Sequence, residues 1–333
     1  TGSYVGLDGI VIDPIKDTSG NVLNYDGPNL KPGDESGNMT NLENVVLRNA
    51  DLTNADLTNA DLTNADLYNA DLTGADLTGA NLTDANLTGA TLTGTDLEGA
   101  TLNTNAFNMW GLISGGITGP PASLPTDWRF VDGYLIGPYA DLTGATLTGA
   151  DLTWPTNLSG ANLTGATLTG ADLNGADLTD ADLTDTDLTG AYLNGAIMRG
   201  VNLYRAELTD ASLFCANLAG SKLIGENLSA GDLSESDLTE VDFSKADLND
   251  ASLADADLTG ANLSEANLRR ANLSGADLSG ADLSGADLNG ADLLNATGID
   301  LGPDRVFKGT PDGYRIQRSR LSGRDYGLVQ TGD

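Results

Sequence analysis

Leucine returns at every fifth residue through most of this 333-residue chain, and a period of five fits neither regular element. Ala50-Asp51-Leu52-Thr53-Asn54 is followed by Ala55-Asp56-Leu57-Thr58-Asn59, and the unit runs on in this form. On an α-helix each repeat advances about 500°, so the leucines wind around the surface and form no stripe. Thr, Asp, Asn and Gly are also poor helix formers. In a continuous strand an odd repeat sends successive leucines to opposite faces. Both conflicts vanish if the chain turns once per repeat, with Ala and Leu pointing inward and Asp and Thr outward. The fifth residue then sits at a corner, where Gly, Asn and Asp tolerate unusual dihedrals. Proline is absent from both long runs, as stacked backbone pairing requires.

Taking the leucine as the centre of each unit, centres fall every five residues from Leu42 to Ile117, then at Leu142, Leu147 and Leu152. They resume one residue out of phase from Leu158 to Leu293, which makes 47 repeats. Phe107, Ile117, Met198 and Phe243 fill the centres that are not leucine. Trp154-Pro155 accompanies the phase shift and marks a bulge. The expected organisation is an N-terminal cap or strand segment (1–39), a first repeat block (40–119), an insert (120–139), a second block (140–298) and a basic C-terminal segment (299–333). In the first of these, Val5, Leu7, Ile10, Ile12 and Ile15 read as a strand or cap. In the insert, Asp132-Gly133 between two apolar runs reads as a hairpin turn. Trp110, Trp128 and Trp154 all lie near this break, and read as a hydrophobic plug or a partner-binding projection. Asp312-Gly313-Tyr314 echoes Asp132-Gly133-Tyr134, so the tail reads as a second hairpin-like cap.

The tandem Ala-(Asp/Asn)-Leu-X-X units resemble the pentapeptide-repeat family. The resemblance implies an all-β fold, a right-handed quadrilateral β-helix with four repeats and twenty residues per coil. About twelve coils stacked at ~4.8 Å then make a solenoid of roughly 55 Å, with non-repeat ends and one inserted hairpin. Each buried leucine contributes ~1.5–3 kcal/mol relative to exposure. Two carboxylates ~5 Å apart in water repel by only about 1 kcal/mol. Leucine burial therefore wins, helped where Asn81, Asn86, Thr91, Asn157, Asn162 and Thr167 interrupt the acid columns.

Composition removes several functions. The 48 acidic and 16 basic residues give a net charge of −32, opposite to what a nucleic-acid grip needs. Histidine is absent and Cys215 is the sole cysteine, which excludes an internal disulfide framework and a thiolate zinc site. The usual neutral-pH base is missing too. No apolar run is long enough to insert in a membrane. The chain begins at Thr1 without Met or a signal peptide, which points to processing or trimming. Outward carboxylates are hard ligands suited to surface calcium, yet no EF-hand loop or calcium-binding nonapeptide appears. No other cofactor is expected, and the paired carboxylates follow from repetition, so no catalytic set is assigned.

Three sets of residues depart from the pattern. Tyr204 and Ile224 fall one coil apart on one face, and Tyr192, Ile197, Arg199, Arg205, Phe214 and Lys222 lie within the same two or three coils. Aromatic residues and Arg are enriched at interfaces, so these form a candidate protein-contact patch. Cys215 lies beside it, placed for an intermolecular disulfide in an oxidising compartment. In the tail, six basic residues face five acids; Arg315, Arg318, Arg320 and Arg324 are candidate assembly residues that meet an acidic neighbour. Glu226 occupies the inward place usually held by Ala, and is expected to reach solvent through a local distortion.

The first functional reading is a non-enzymatic structural or surface protein, extracellular or cell-surface, self-associating end to end into a filament. The resemblance also implies an alternative, an acidic DNA mimic that binds and protects gyrase, which would be cytoplasmic. A generic protein-binding scaffold is the third reading. Ice binding is disfavoured because Thr alternates with charged Asp on every side.

Overall fold

The computed structural model describes residues 42–102 and 105–299, together with the backbone of short strands toward either terminus. It divides into two compact units, Thr1–Leu142 and Thr143–Asp333. Each is built of stacked coils, and in each the pairing rule is the same.

In the first unit, Asp51 bridges Asp71 in parallel, Asp56 bridges Asp76, and Asp61 bridges Asn81. The spacing of twenty residues means that four repeats close one coil. Leu52 donates its N–H to Asp71 at 2.7 Å, Asp71 donates to Ala50 at 2.9 Å, and Asn54 donates to Thr73 at 2.8 Å. Ala55 donates back to Leu52 at 3.0 Å and closes the turn between walls. Only the third residue of that turn has positive φ, as at Asn54 (56°) and Gly74 (67°). This is the type II pattern, which favours Gly or Asn there. Ala and Leu fill the interior, and Leu62 to Leu102 are wholly buried at each centre.

The Asp before each leucine does more than face water. Asp51 Oδ1 accepts the Thr53 N–H at 3.1 Å, and Asp61 Oδ1 accepts both the N–H and the hydroxyl of Thr63 at 3.1 and 2.6 Å. The same Asx turn recurs in both units, for example at Asp177 and Asp282. The Asp-Leu-Thr run is thus selected by a local turn that a bare outward charge does not explain.

The five-residue phase is broken in the first unit where the sequence shows it continuing. Asn105 caps a 3-10 helix, Ala106–Met109, by accepting the Phe107 N–H on its side chain. The helix adds two residues, so Leu87 pairs with Asn108 and Met109 takes the inward place. Phe107 is not a core centre: it is 62% exposed, whereas Met109 is wholly buried. Leu112 and Ile117 are buried, but two places before the centre, because the bridges run Thr91 to Ile113 and Asp96 to Thr118. The next coil adds eight residues, Ile113 to Asp141. The additions total a multiple of five, so the leucine phase returns at Leu142 and hides them.

Toward the N terminus, β1 (Tyr4–Val5) pairs antiparallel with β2 (Val11–Ile12), and β3 (Lys16–Asp17) pairs with β4 (Ala50–Asp51) on an early coil. Leu7, Ile10 and Ile15 lie outside the described residues. The additional eight residues of the wider coil coincide with the hairpin of β5 (Arg129–Val131) and β6 (Tyr134–Ile136). Its two-residue turn, Asp132 and Gly133, has φ of 49° and 81°, the doubly positive form that suits strand twist. Gly133 C=O accepts the Ile117 N–H at 3.0 Å, and Leu135 donates to Ser114 Oγ at 3.0 Å. Leu135 and Ile136 are fully buried and Trp128 nearly so. A Cβ on Gly137 would lie 2.2 Å from the Trp128 ring, so no larger residue fits there.

In the second unit the bridges resume at 21 residues, Thr146 to Thr167 and Asp151 to Asp172, then settle at twenty from Asn157. The extra residue sits at the cis Trp154-Pro155 bond, and Thr156 takes the inward place. Other polar residues in that place are satisfied by one device. Thr186, Ser221 and Ser236 each donate their hydroxyl to the carbonyl of the centre 23 residues earlier, Leu163, Met198 and Leu213, at 2.7–2.8 Å. Buried hydroxyls require such partners. Toward the C terminus, β7 (Tyr314–Arg318) pairs antiparallel with β8 (Tyr326–Gln330). Tyr314 opens the first strand of this pair, unlike Tyr134, which opens the second of its own, so the sequence echo does not carry over to the pairing. Asp312 and Gly313 lie outside the described residues.

Candidate functional site

The contact patch read from sequence divides among three of the four walls. Tyr192 bridges Ser212, which places Tyr192 and Phe214 on one wall. Ile197 bridges Asn217 on the next, which also carries Arg199. Asn202 bridges Lys222 on the third, with Tyr204 and Ile224 two residues further along each coil. Tyr192, Ile197, Tyr204, Phe214 and Ile224 are all exposed. Yet Phe214 and Tyr204 occupy opposite walls and belong to no common surface.

What the structure does assemble is narrower. Asn202, Tyr204, Lys222 and Ile224 line a shallow groove of about 240 Å³ across two successive coils. Tyr204 and Ile224 give it apolar walls. Lys222 has no ion pair among the described residues, so a free cation stands at the rim. Arg205, at the adjoining corner, is committed to Asp185 at 3.0 Å.

Glu226 lies behind this groove, and the expectation that it reaches solvent is not met. It is 7% exposed, and its carboxylate accepts the backbone N–H of Arg205 at 2.8 Å. The corner N–H elsewhere goes to the carbonyl nineteen residues on, as from Gly200 to Ala219 and from Gly220 to Thr239. Glu226 therefore replaces a backbone bond with its own side chain. Burial pushes its carboxyl above the ordinary range, and Glu207 and Asp185 add to this; the Arg205 N–H and charge oppose it. Polar residues in the inward place were visible in the sequence, but the redirection of a backbone donor was not.

The acid columns are largely self-satisfied. Asp76, Asp187 and Asp277 have carboxyls held below the ordinary range, first by the hydroxyls of Thr78, Thr189 and Ser279 and then by their backbone N–H groups. No group of three or more His, Cys, Asp or Glu able to hold a metal occurs among the described residues. Cys215 is exposed at a corner with φ of 54°. Desolvation, a 3.5 Å hydrogen bond to Glu235 and the charges of Glu235 and Asp232 push its thiol up. The thiolate needed for disulfide exchange is thereby disfavoured.

The three tryptophans do not form one plug. Trp128 is buried with its indole N–H unpartnered among the described residues, while Trp154 is 75% exposed in the second unit. Trp110 instead joins Phe107 and Tyr139 in an exposed trio, with ring centroids 5.1 and 4.3 Å apart. Sequence reading missed this trio because it placed Phe107 in the core. Among the assembly arginines, Arg315 and Arg318 fall on β7; Arg320 and Arg324 lie outside the described residues.

Stacked four-sided coils with self-satisfied polar walls define a repeat solenoid. The model of the family described as pentapeptide repeats matches this chain in eight copies, over residues 40–79, 65–103, 156–195, 186–223, 211–250 and 251–290. The chain belongs to the pentapeptide-repeat family, whose members fold as right-handed quadrilateral β-helices. Among solved structures it is similar to HetL, a pentapeptide repeat protein involved in heterocyst differentiation regulation in the cyanobacterium Nostoc. Identity is 29% over 79% of this chain and 94% of that one, with a TM-score of 0.43. It is similar also to QnrB1, a plasmid-mediated fluoroquinolone resistance protein, at 18% identity over 67% and 90% of the two chains and a TM-score of 0.36. A pentapeptide repeat protein of the Arabidopsis thaliana thylakoid lumen shares 33% identity over 33% of this chain and 66% of its own, with a TM-score of 0.15. No curated protein matches. Among the described residues no helix is long and apolar enough to cross a membrane.

Proposed function

We propose that this protein is a non-enzymatic structural solenoid that self-associates through its wall, at the groove of Tyr204, Ile224, Asn202 and Lys222. The observation that carries this reading is Lys222, without an ion pair among the described residues, at the rim of an apolar groove in a chain of net charge −32. A second copy supplies carboxylates on every wall, and Tyr204 and Ile224 supply the apolar area that exposed ion pairs lack.

A strand pairing favours the wall over the ends. β3 lies antiparallel on β4, which supports a cap in place of an open edge at the N-terminal side. End-to-end assembly through Arg315, Arg318, Arg320 and Arg324 is the competing mode. A surface or extracellular setting suits the first reading.

The DNA-mimic reading, which QnrB1 brings to mind, rests on net charge. Against it, among the described residues no bridged column carries more than three successive carboxylates, as in Asp56-Asp76-Asp96 or Asp237-Asp257-Asp277, whereas duplex DNA carries a charge about every 1.7 Å. Sedimentation of the full chain and of a chain lacking 299–333 separates the modes. Wall contact predicts concentration-dependent association in both; loss of association on truncation selects the ends. Inhibition in a purified gyrase supercoiling assay selects the mimic.

A further inference from the structure

The groove adjoins a gap in the hydrogen-bonded stack, on the next wall along the coil. The bonds that Leu208 and Asp210 owe to Asn227 and Ser229 are absent, as is the one that Asn227 owes to Ala206, whereas Asn202 still bridges Lys222 and Ser212 still bridges Asp232 on the adjoining walls. The bridge expected between Glu207 and Asn227 is missing too, although Asp187 bridges Glu207 and Asn227 bridges Asp247 on either side. Lys222 reaches Val201 only at 3.4 Å. The gap lies between two coils, and Glu226 stands beside it, in the inward place where Ala, Val, Gly or a hydroxyl residue sits in neighbouring repeats.

Glutamate is too long for that place. Its carboxylate takes the Arg205 N–H that the pattern assigns to Ile224, so a side-chain bond stands where a backbone bond between the coils would be. Among the charged groups around it, Arg205 favours the ionised form but is shared with another acid. The Arg205 guanidinium is turned to Asp185 at 3.0 Å, and Glu207 and Asp185 are like charges. Lys222 has no ion pair with Glu226. An ionised carboxylate left with one backbone donor in a largely covered site favours water.

We propose that Glu226 makes the seam between the coils of Leu203–Asp210 and Lys222–Ser229 a pH-responsive joint, closed when the carboxyl is protonated and opening locally to water when it is ionised. The sign follows from linkage. An acid favoured in its neutral form by the closed seam stabilises that seam fully below its ordinary value, 4.5. The contribution is lost as pH rises through the elevated value. This is opposite to the direction of the wall aspartates. Local opening of this kind is a sub-global event that leaves the remaining coils paired. The same two coils carry the groove, so the joint also sets its width; the test below reads the seam itself and is independent of what the groove binds.

Hydrogen–deuterium exchange of the full chain from pH 4.5 to 7.5, corrected for intrinsic exchange, reads the joint in peptides covering 203–211 and 222–232. Peptides covering 258–268 serve as the control. Protection at the seam is expected to fall by up to about tenfold per pH unit above 4.5 and then level off, because opening is coupled to loss of one proton. The control stays flat, and Glu226→Gln removes the fall. Glu226→Ala, which restores the usual inward residue, raises seam protection at every pH and keeps the test decisive if the Gln variant does not fold. Seam protection independent of pH in the native chain, or a fall that persists in either variant, overturns the proposal.

Discussion

The side-chain amide of Asn267 donates at 2.8 Å to the carboxylate of Asp247, one coil earlier on the same wall. Asp287 follows one coil later, so the amide separates two carboxylates that would otherwise stack. The same relation joins Asn86 to Asp66 and Asn262 to Asp242. The asparagines thus act as donors that tie acid columns together, a stronger role than simple dilution of charge. Asn267→Asp is expected to destabilise the solenoid by about 0.5–1.5 kcal/mol through loss of this bond, with added repulsion that shrinks as salt rises. Chemical denaturation at low and high salt checks both parts.

Core centres are tested at Leu188, which is wholly buried. Leu188→Ala should cost ~2–5 kcal/mol, combining lost transfer energy with a cavity. A change near zero in denaturant unfolding would mean that the wall collapses around the missing side chain.

The revised register of the first unit predicts unequal effects from two neighbours. Met109→Ala should destabilise by ~2–5 kcal/mol, as for other fully buried large residues, whereas exposed Phe107→Ala, which loses only its edge contact with Trp110, should cost about 0.5–1.5 kcal/mol. Thermal melts of the two variants decide which residue fills the core.

Asp76, Asp187 and Asp277 predict acid sensitivity. Their lowered carboxyls contribute stability above the ordinary value of 3.8, and this is lost as pH falls through their folded values. Asp187→Asn keeps an acceptor for Thr189 and should reduce the steepness of acid unfolding followed by circular dichroism.

Much of this was legible in the sequence. The period of five required a turn per repeat, and the inward Ala and Leu, the Gly or Asn corners and the bulge at Trp154 follow from steric rules. The registers at Phe107 and Leu142 did not, because additions totalling a multiple of five leave the leucine phase unchanged. Glu226 was visible as an anomaly, but its outcome depended on whether a backbone donor twenty-one residues away lay within reach. The contact patch was read too widely because five-residue spacing sets each residue's wall, and nearness along the chain does not. Only Tyr204 and Ile224, separated by one full coil, met the geometric requirement together with Asn202 and Lys222.

The claim of a wall contact is tested most directly by sedimentation velocity of the native chain and Tyr204→Asp over a wide concentration range, with thermal melts in parallel. Tyr204 is exposed and its side chain supports no described core packing, so the melting temperature should not move. The account predicts that the native chain associates, more strongly as salt screens the repulsion between its acidic walls, and that Tyr204→Asp stays monomeric. A native chain monomeric throughout, or a Tyr204→Asp chain that associates as the native one does, would contradict it.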